Sequence, residues 1–176
     1  MEVLILNLQL TNKERMLLQD QKSHEEICVQ KYNDYANLAS DPQLKALFKR
    51  NAQTEQEHLN TINQLLSGQI PSMNQGQSGA QQQTQSSMPM QSQQMQQQQA
   101  SSFQGQNQSS GYQADQDLCT DMLMTEKYVS GAYDTAIFEF RDPQVRQVLN
   151  HIQKEEQQHG EAIFNYMQSM GMYNPQ

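Results

Sequence analysis

Residues 40–62 read SDPQLKALFKRNAQTEQEHLNTI, and residues 141–163 read RDPQVRQVLNHIQKEEQQHGEAI. A shift of 101 positions places Asp41-Pro42-Gln43 on Asp142-Pro143-Gln144, Glu55 on Glu156, His58 on His159 and Ile62 on Ile163. The same shift carries Glu25 onto Glu126 and Tyr32 onto Tyr133. One constant offset aligns turn, apolar and acidic positions together, so the chain reads as an αα-hairpin present twice.

Working outward, each Asp-Pro turn separates two amphipathic stretches. Before the first turn, Leu17, Leu18, Cys28, Val29, Tyr32, Tyr35, Ala36 and Leu38 recur close to the 3.6-residue period. After it, Leu44, Leu47, Phe48, Ala52, Leu59, Ile62, Leu65 and Leu66 form one face, which ends near Gly68. Asp41 suits the N-cap of the second helix and Pro42 its first position. The other half repeats the plan with Leu118, Met122, Val129, Tyr133, Ile137 and Phe140 before its turn. Val145, Val148, Leu149, Ile152, Ile163, Tyr166, Met167 and Met170 follow it.

Between the halves, residues 68–114 are mainly Gln, Ser, Gly and Met, with almost no charge. Such a composition buries too little apolar surface to offset the entropy of ordering, so a disordered linker is expected, with Gln-driven self-association or cross-linking as compositional ideas. The expected organisation is a first hairpin with an N-terminal arm (1–67), the linker (68–114) and a second hairpin (115–176), the two hairpins forming one bundle. If the second and third helices run parallel, the linker must cross the bundle's length. The fold class is therefore all-α: a ferritin-like four-helix bundle of two duplicated hairpins with one long crossover.

The composition excludes several roles. A formal charge of -8 argues against a nucleic-acid partner, since phosphate binding needs clustered Lys and Arg. No run of 18 apolar residues is present, so no membrane span is expected. The opening MEVLILNLQL lacks the features of a signal peptide and reads as a floppy arm, or as a strip packing on the bundle or on a partner. Cys28 and Cys119 form no CxxC, which suits a reducing compartment and small apolar core roles.

The acidic positions carry the chemistry. A dimetal carboxylate bundle takes one Glu from each of two helices and a Glu-x-x-His from each of the other two. Here Glu25 is followed by Glu55-x-x-His58, and Glu126 by Glu156-x-x-His159, with the same separation of 30 in each half. Residues i and i+3 share a helix face, and each single Glu lies about as far before its turn as the Glu-x-x-His lies after it. A hairpin thus brings them to one height. Carboxylates can bridge two cations while each imidazole supplies a terminal nitrogen, a set suited to two Fe or Mn ions. The alternative is a hydrogen-bonded polar core that keeps ligand-like residues without metal. Glu26, Glu57 and Glu155 read as surface carboxylates, and His24 and His151, lacking register partners, as solvated. Tyr32 and Tyr133 read as bundle core, able to hydrogen-bond the glutamates.

The halves around HEEICVQKYNDYANLASDPQLKALFKRNAQTEQEHLNTI and MTEKYVSGAYDTAIFEFRDPQVRQVLNHIQKEEQQHGEAI resemble the coat F domain of spore coat proteins from endospore-forming Firmicutes. The Gln- and Met-rich middle and the tail MQSMGMYNPQ suit that group. The resemblance implies a ferritin-like fold and a structural, non-enzymatic part in the spore coat, made in the mother-cell cytoplasm without a signal peptide. Other spore coat proteins and a possible second copy are the implied partners. The Glu and Glu-x-x-His positions are more distantly similar to those of rubrerythrin and manganese catalase bundles. That implies the alternative: a dimetal oxidoreductase acting on peroxide or oxygen, or a metal store. Without a CxxC pair the rubrerythrin electron-transfer module is absent.

Overall fold

The computed structural model describes residues 8–72 and 104–173, with backbone alone at 104–109. Four helices account for nearly all of them: α1 (Asn12–Leu38), α2 (Pro42–Leu66), α3 (Gln104–Glu139) and α4 (Pro143–Ser169). No strand occurs among the described residues. The helices pair as two antiparallel hairpins, α1 with α2 and α3 with α4, packed into a four-helix bundle.

Each helix boundary has a local cause. Thr11 caps α1 in a reciprocal box with Glu14, each side chain accepting the other residue's backbone N–H. Asp41 and Asp142 cap α2 and α4, accepting from Gln43 N and Gln144 N at 2.7 Å each, with Pro42 and Pro143 in the first turn as expected. Gly68 follows the end of α2 at φ 86°, where a side chain would be strained.

The hairpins are stitched by carboxylates related by the same offset of 101. Glu14 of α1 reaches the second turn, accepting from Arg141 N at 3.1 Å. Asp115 of α3 reaches the first turn, accepting from Ser40 N at 2.7 Å and Asp41 N at 2.9 Å. Each hairpin's leading helix thus satisfies backbone donors at the other's corner, where no intrahelical acceptor exists. These contacts, with Lys31 on α1 bonding Thr125 on α3 at 2.8 Å, fix α1 antiparallel to α3. Hence α2 and α3 run parallel. Burial acts to raise the Glu14 carboxyl, but hydrogen bonds from Thr11 and Arg141 win and hold it at about 2. Asp115→Ala leaves two part-buried N–H groups without their acceptor and is expected to cost about 1–2 kcal/mol in denaturant unfolding. An unchanged midpoint would show that water replaces the carboxylate without loss.

Two apolar clusters fill the bundle on either side of its midpoint. One contains Tyr32, Phe48, Met122, Ile163 and Met167, the other Leu18, Ile62, Val129, Tyr133 and Leu149. Tyr32, Phe48 and Ile163 correspond to Tyr133, Leu149 and Ile62, so the duplication builds both plugs. Each fully buried side chain contributes about 2 kcal/mol relative to exposure. Leu8 and Leu10 pack on the second cluster, and Leu8 N donates to Gly68 O at 2.9 Å. The arm therefore lies on the bundle from Leu8 onward.

Three sequence expectations need adjustment. Leu38 and Met170, assigned to core faces, are exposed at helix ends, where no facing helix remains to cover them. Residues 104–114, read as linker, form the opening turns of α3. Tertiary contact supports them: Tyr112 Oη donates to Met170 O at 3.2 Å, and a Cβ on Gly111 would stand 2.9 Å from Ser40 Oγ. Residues 73–103, the remainder of that segment apart from its first five positions, lie outside the described residues, as do 1–7.

Candidate metal centre

The six residues singled out from the sequence converge at the middle of the bundle, between the apolar clusters. Glu25, Glu55, His58, Glu126, Glu156 and His159 are all buried. They form two overlapping groups: Glu25, Glu55, His58 and Glu156 in one, and Glu55, Glu126, Glu156 and His159 in the other. Within each group the potential ligand atoms lie within 4.8 Å of one another.

Glu55 and Glu156 belong to both groups because each divides its two oxygens between them. Glu55 Oε2 lies 3.3 Å from His58 Nδ1 and Oε1 lies 2.8 Å from His159 Nδ1. Glu156 Oε1 lies 3.1 Å from His58 Nδ1 and Oε2 lies 4.0 Å from His159 Nδ1. Glu25 Oε2 completes the first pocket at 3.6 Å from His58 Nδ1, and Glu126 Oε1 the second at 3.9 Å from His159 Nδ1. Two carboxylates are thus placed to bridge and two to terminate, with one imidazole nitrogen facing each pocket.

The surrounding residues are partly symmetric. Tyr32 Oη donates to Glu126 Oε1, and Tyr133 Oη to Glu25 Oε1, so each tyrosine orients the terminal carboxylate of the opposite hairpin. Asn51 Nδ2 donates to Tyr32 Oη at 3.1 Å, whereas the related position is Ile152. His58 Nε2 lies 2.9 Å from Glu155 Oε2, and Glu155 also lies 3.4 Å from His151 Nε2. Glu155, read from sequence as a surface carboxylate, is partly buried and backs one imidazole, while His151 beside it is exposed, as read. Thr54 and Arg50 occupy the related positions, so the duplication gave no signal for it. The surface readings of Glu26 and Glu57 hold, whereas the solvated reading of His24 does not. Glu26 and Glu57 are exposed, while His24 is partly buried with its ring edge-on to Tyr128. Both cysteines are buried and free.

The electrostatics suit a cation. Burial, with the nearby Glu55 carboxylate, pushes Glu25 up to about 7 despite His58. Burial also raises Glu156 to about 7, Glu126 well above the usual carboxylate range, and Glu55 in the same direction. Burial opposes protonation of His58, but Glu155, Glu156, Glu25 and Glu55 raise it, whereas burial lowers His159. Burial and the adjoining glutamates keep the Tyr32 and Tyr133 hydroxyls protonated, hence donors. Glu25 Oε2, Glu126 Oε2 and both oxygens of Glu156 are buried without a hydrogen-bond partner. Orphaned carboxylate oxygens in an apolar interior are costly, and two divalent ions would satisfy them and balance four negative charges. The residues fit a pair of metal ions.

Fold and cluster together define a helical bundle able to hold metal at its centre. The family model of the Coat F domain matches residues 114–176. That stretch carries most of α3, all of α4, and Glu126, Glu156 and His159. The first hairpin lies outside the matched residues. No curated protein and no solved structure matches the chain.

Proposed function

We propose that this protein is a structural component of the bacterial endospore coat whose ferritin-like bundle encloses two iron or manganese ions. The Coat F domain over residues 114–176 supports the location. The antiparallel hairpins with parallel α2 and α3 support the fold assignment. The observation carrying the metal reading is the division of Glu55 and Glu156 oxygens between two imidazole-bearing pockets. Glu25 and His58 would hold one ion, Glu126 and His159 the other, with Glu55 and Glu156 shared. Association with coat proteins, or with a second copy, is supported by Ile27, Met124 and Tyr128, exposed around one depression between α1 and α3. No described helix is long and apolar enough to cross a membrane.

A second reading, redox turnover on oxygen or peroxide, is favoured by a groove between α3 and α4 that reaches Glu126 and Glu156. Bound iron or manganese would supply the electron transfer. The protein would orient the terminal carboxylates through Tyr32 and Tyr133 and keep the pockets in an apolar surround. Metal analysis after purification without chelators tests the centre, with two ions per chain expected and none sinking it. Locating a tagged copy on spores tests the coat assignment, which retention in vegetative cytoplasm would refute.

A further inference from the structure

The two halves of the acidic centre are not equally accessible. A groove of about 690 Å³ runs between α3 and α4, and its lining includes Glu126, Glu156, Gly131, Gly160, Leu123 and Phe164. Two glycines within helices are unfavourable in isolation, and both face this groove. The offset of 101 places Gln30 and Leu59 at the related positions of the first hairpin. A Cβ on Gly160 would lie 3.6 Å from Leu123 Cδ1 and 3.9 Å from Glu126 Cβ, so its missing side chain leaves the space beside Glu126 open. On Gly131 a Cβ would meet nothing within 4 Å. The imidazoles show the same asymmetry. Glu155 backs His58 Nε2, while His159 Nε2 has no hydrogen-bond partner among the described residues.

We propose that the α3/α4 groove is the entry by which an external ligand reaches the centre, and that it meets it at the Glu126–His159 pocket. The volume greatly exceeds the needs of oxygen or peroxide and falls in the range that holds small organic molecules. Hard metal ions at the inner end take oxygen donors. Leu123, Phe164 and Tyr173, the last two ring-to-ring at 5.0 Å, offer an apolar wall further out. The ligand class is a small organic molecule with an oxygen-donor head and an apolar body. This inference rests on the two-metal reading and deepens it.

Acetohydroxamate titrated into the ferric-loaded protein provides the test, read by its visible charge-transfer band alongside iron per chain. The wild type is expected to bind it saturably. Gly160→Leu is expected to keep two irons and bind it at least tenfold more weakly. Gly131→Gln, whose added side chain starts in open space, carries the same expectation should the leucine variant fold poorly. Undiminished binding in an iron-replete variant overturns the groove as the entry. A wild type holding two irons that never binds acetohydroxamate overturns this inference alone. A wild type holding no metal removes the two-metal reading and this inference with it.

Discussion

Replacing Glu126 with Gln is expected to stabilise the chelated protein at pH 8 and, if the centre takes up two ions as proposed, to cut the uptake of the unchelated protein to one. Glu126 has a folded-state proton affinity raised well above its unfolded value near 4.5, first by burial and then by the adjoining Glu156. A carboxyl shifted in this direction contributes fully below about pH 4.5, and the contribution declines as pH rises towards and through its folded-state value. Glu25 and Glu156, each raised to about 7, add the same dependence between about 4.5 and 7. These carboxyls should therefore weaken the metal-free protein as pH rises from about 4.5 to 7. Gln keeps the acceptor for Tyr32 and places an N–H₂ where Glu126 faces Glu156, without ever ionising. The expected gain at pH 8 in EDTA is about 1–3 kcal/mol by denaturant unfolding, the cost of an uncompensated buried polar group, and it shrinks towards zero at pH 4.5. Equal stability of the two proteins at pH 8 would mean that existing hydrogen bonds already compensate the carboxylates.

A stabilising substitution at the centre of a fold is a mark of function, because residues kept for stability alone do not improve on removal. The corner carboxylates provide the contrast. Asp115 and Glu14 are also buried and acidic, but they accept backbone N–H groups at the turns, so truncating Asp115 should only destabilise.

The duplicated register made much of this legible from sequence. A fixed offset located the turns, both caps and all six cluster residues, because metal-ligand spacing on a hairpin is set by helix geometry alone. What the register could not show was contact between copies. Tyr32 and Tyr133 were readable as partners of glutamates, but that each crosses to the opposite hairpin depends on how the hairpins dock. Glu155 was hidden because its related residue is Thr54, and the groove because Gly131 and Gly160 differ from Gln30 and Leu59. Departures from the repeat thus carried the asymmetry that matching positions concealed. The start of α3 was missed for another reason. Gln and Ser have no strong periodic signal, and contacts with the first turn and the end of α4 stabilise that stretch.

The second large effect is expected on stripping the metal. An ion present at a thousandfold its dissociation constant stabilises the folded state by about 4 kcal/mol. For a chain of this size that corresponds to a fall on the order of 10 °C in melting temperature when EDTA removes it. In the His58→Ala, His159→Ala double variant each pocket loses its only nitrogen ligand, and the melt should no longer respond to EDTA. Without metal the double variant should also lie below the chelated wild type at neutral pH, since His58 is the group that Glu25, Glu55, Glu155 and Glu156 hold protonated. A hydrogen-bonded polar core makes the opposite pair of statements: EDTA would leave the wild-type melt in place, and the double variant would be equally destabilised with or without chelator. Four melts, two proteins each with and without EDTA, separate a filled centre from a polar core that merely retains its ligands.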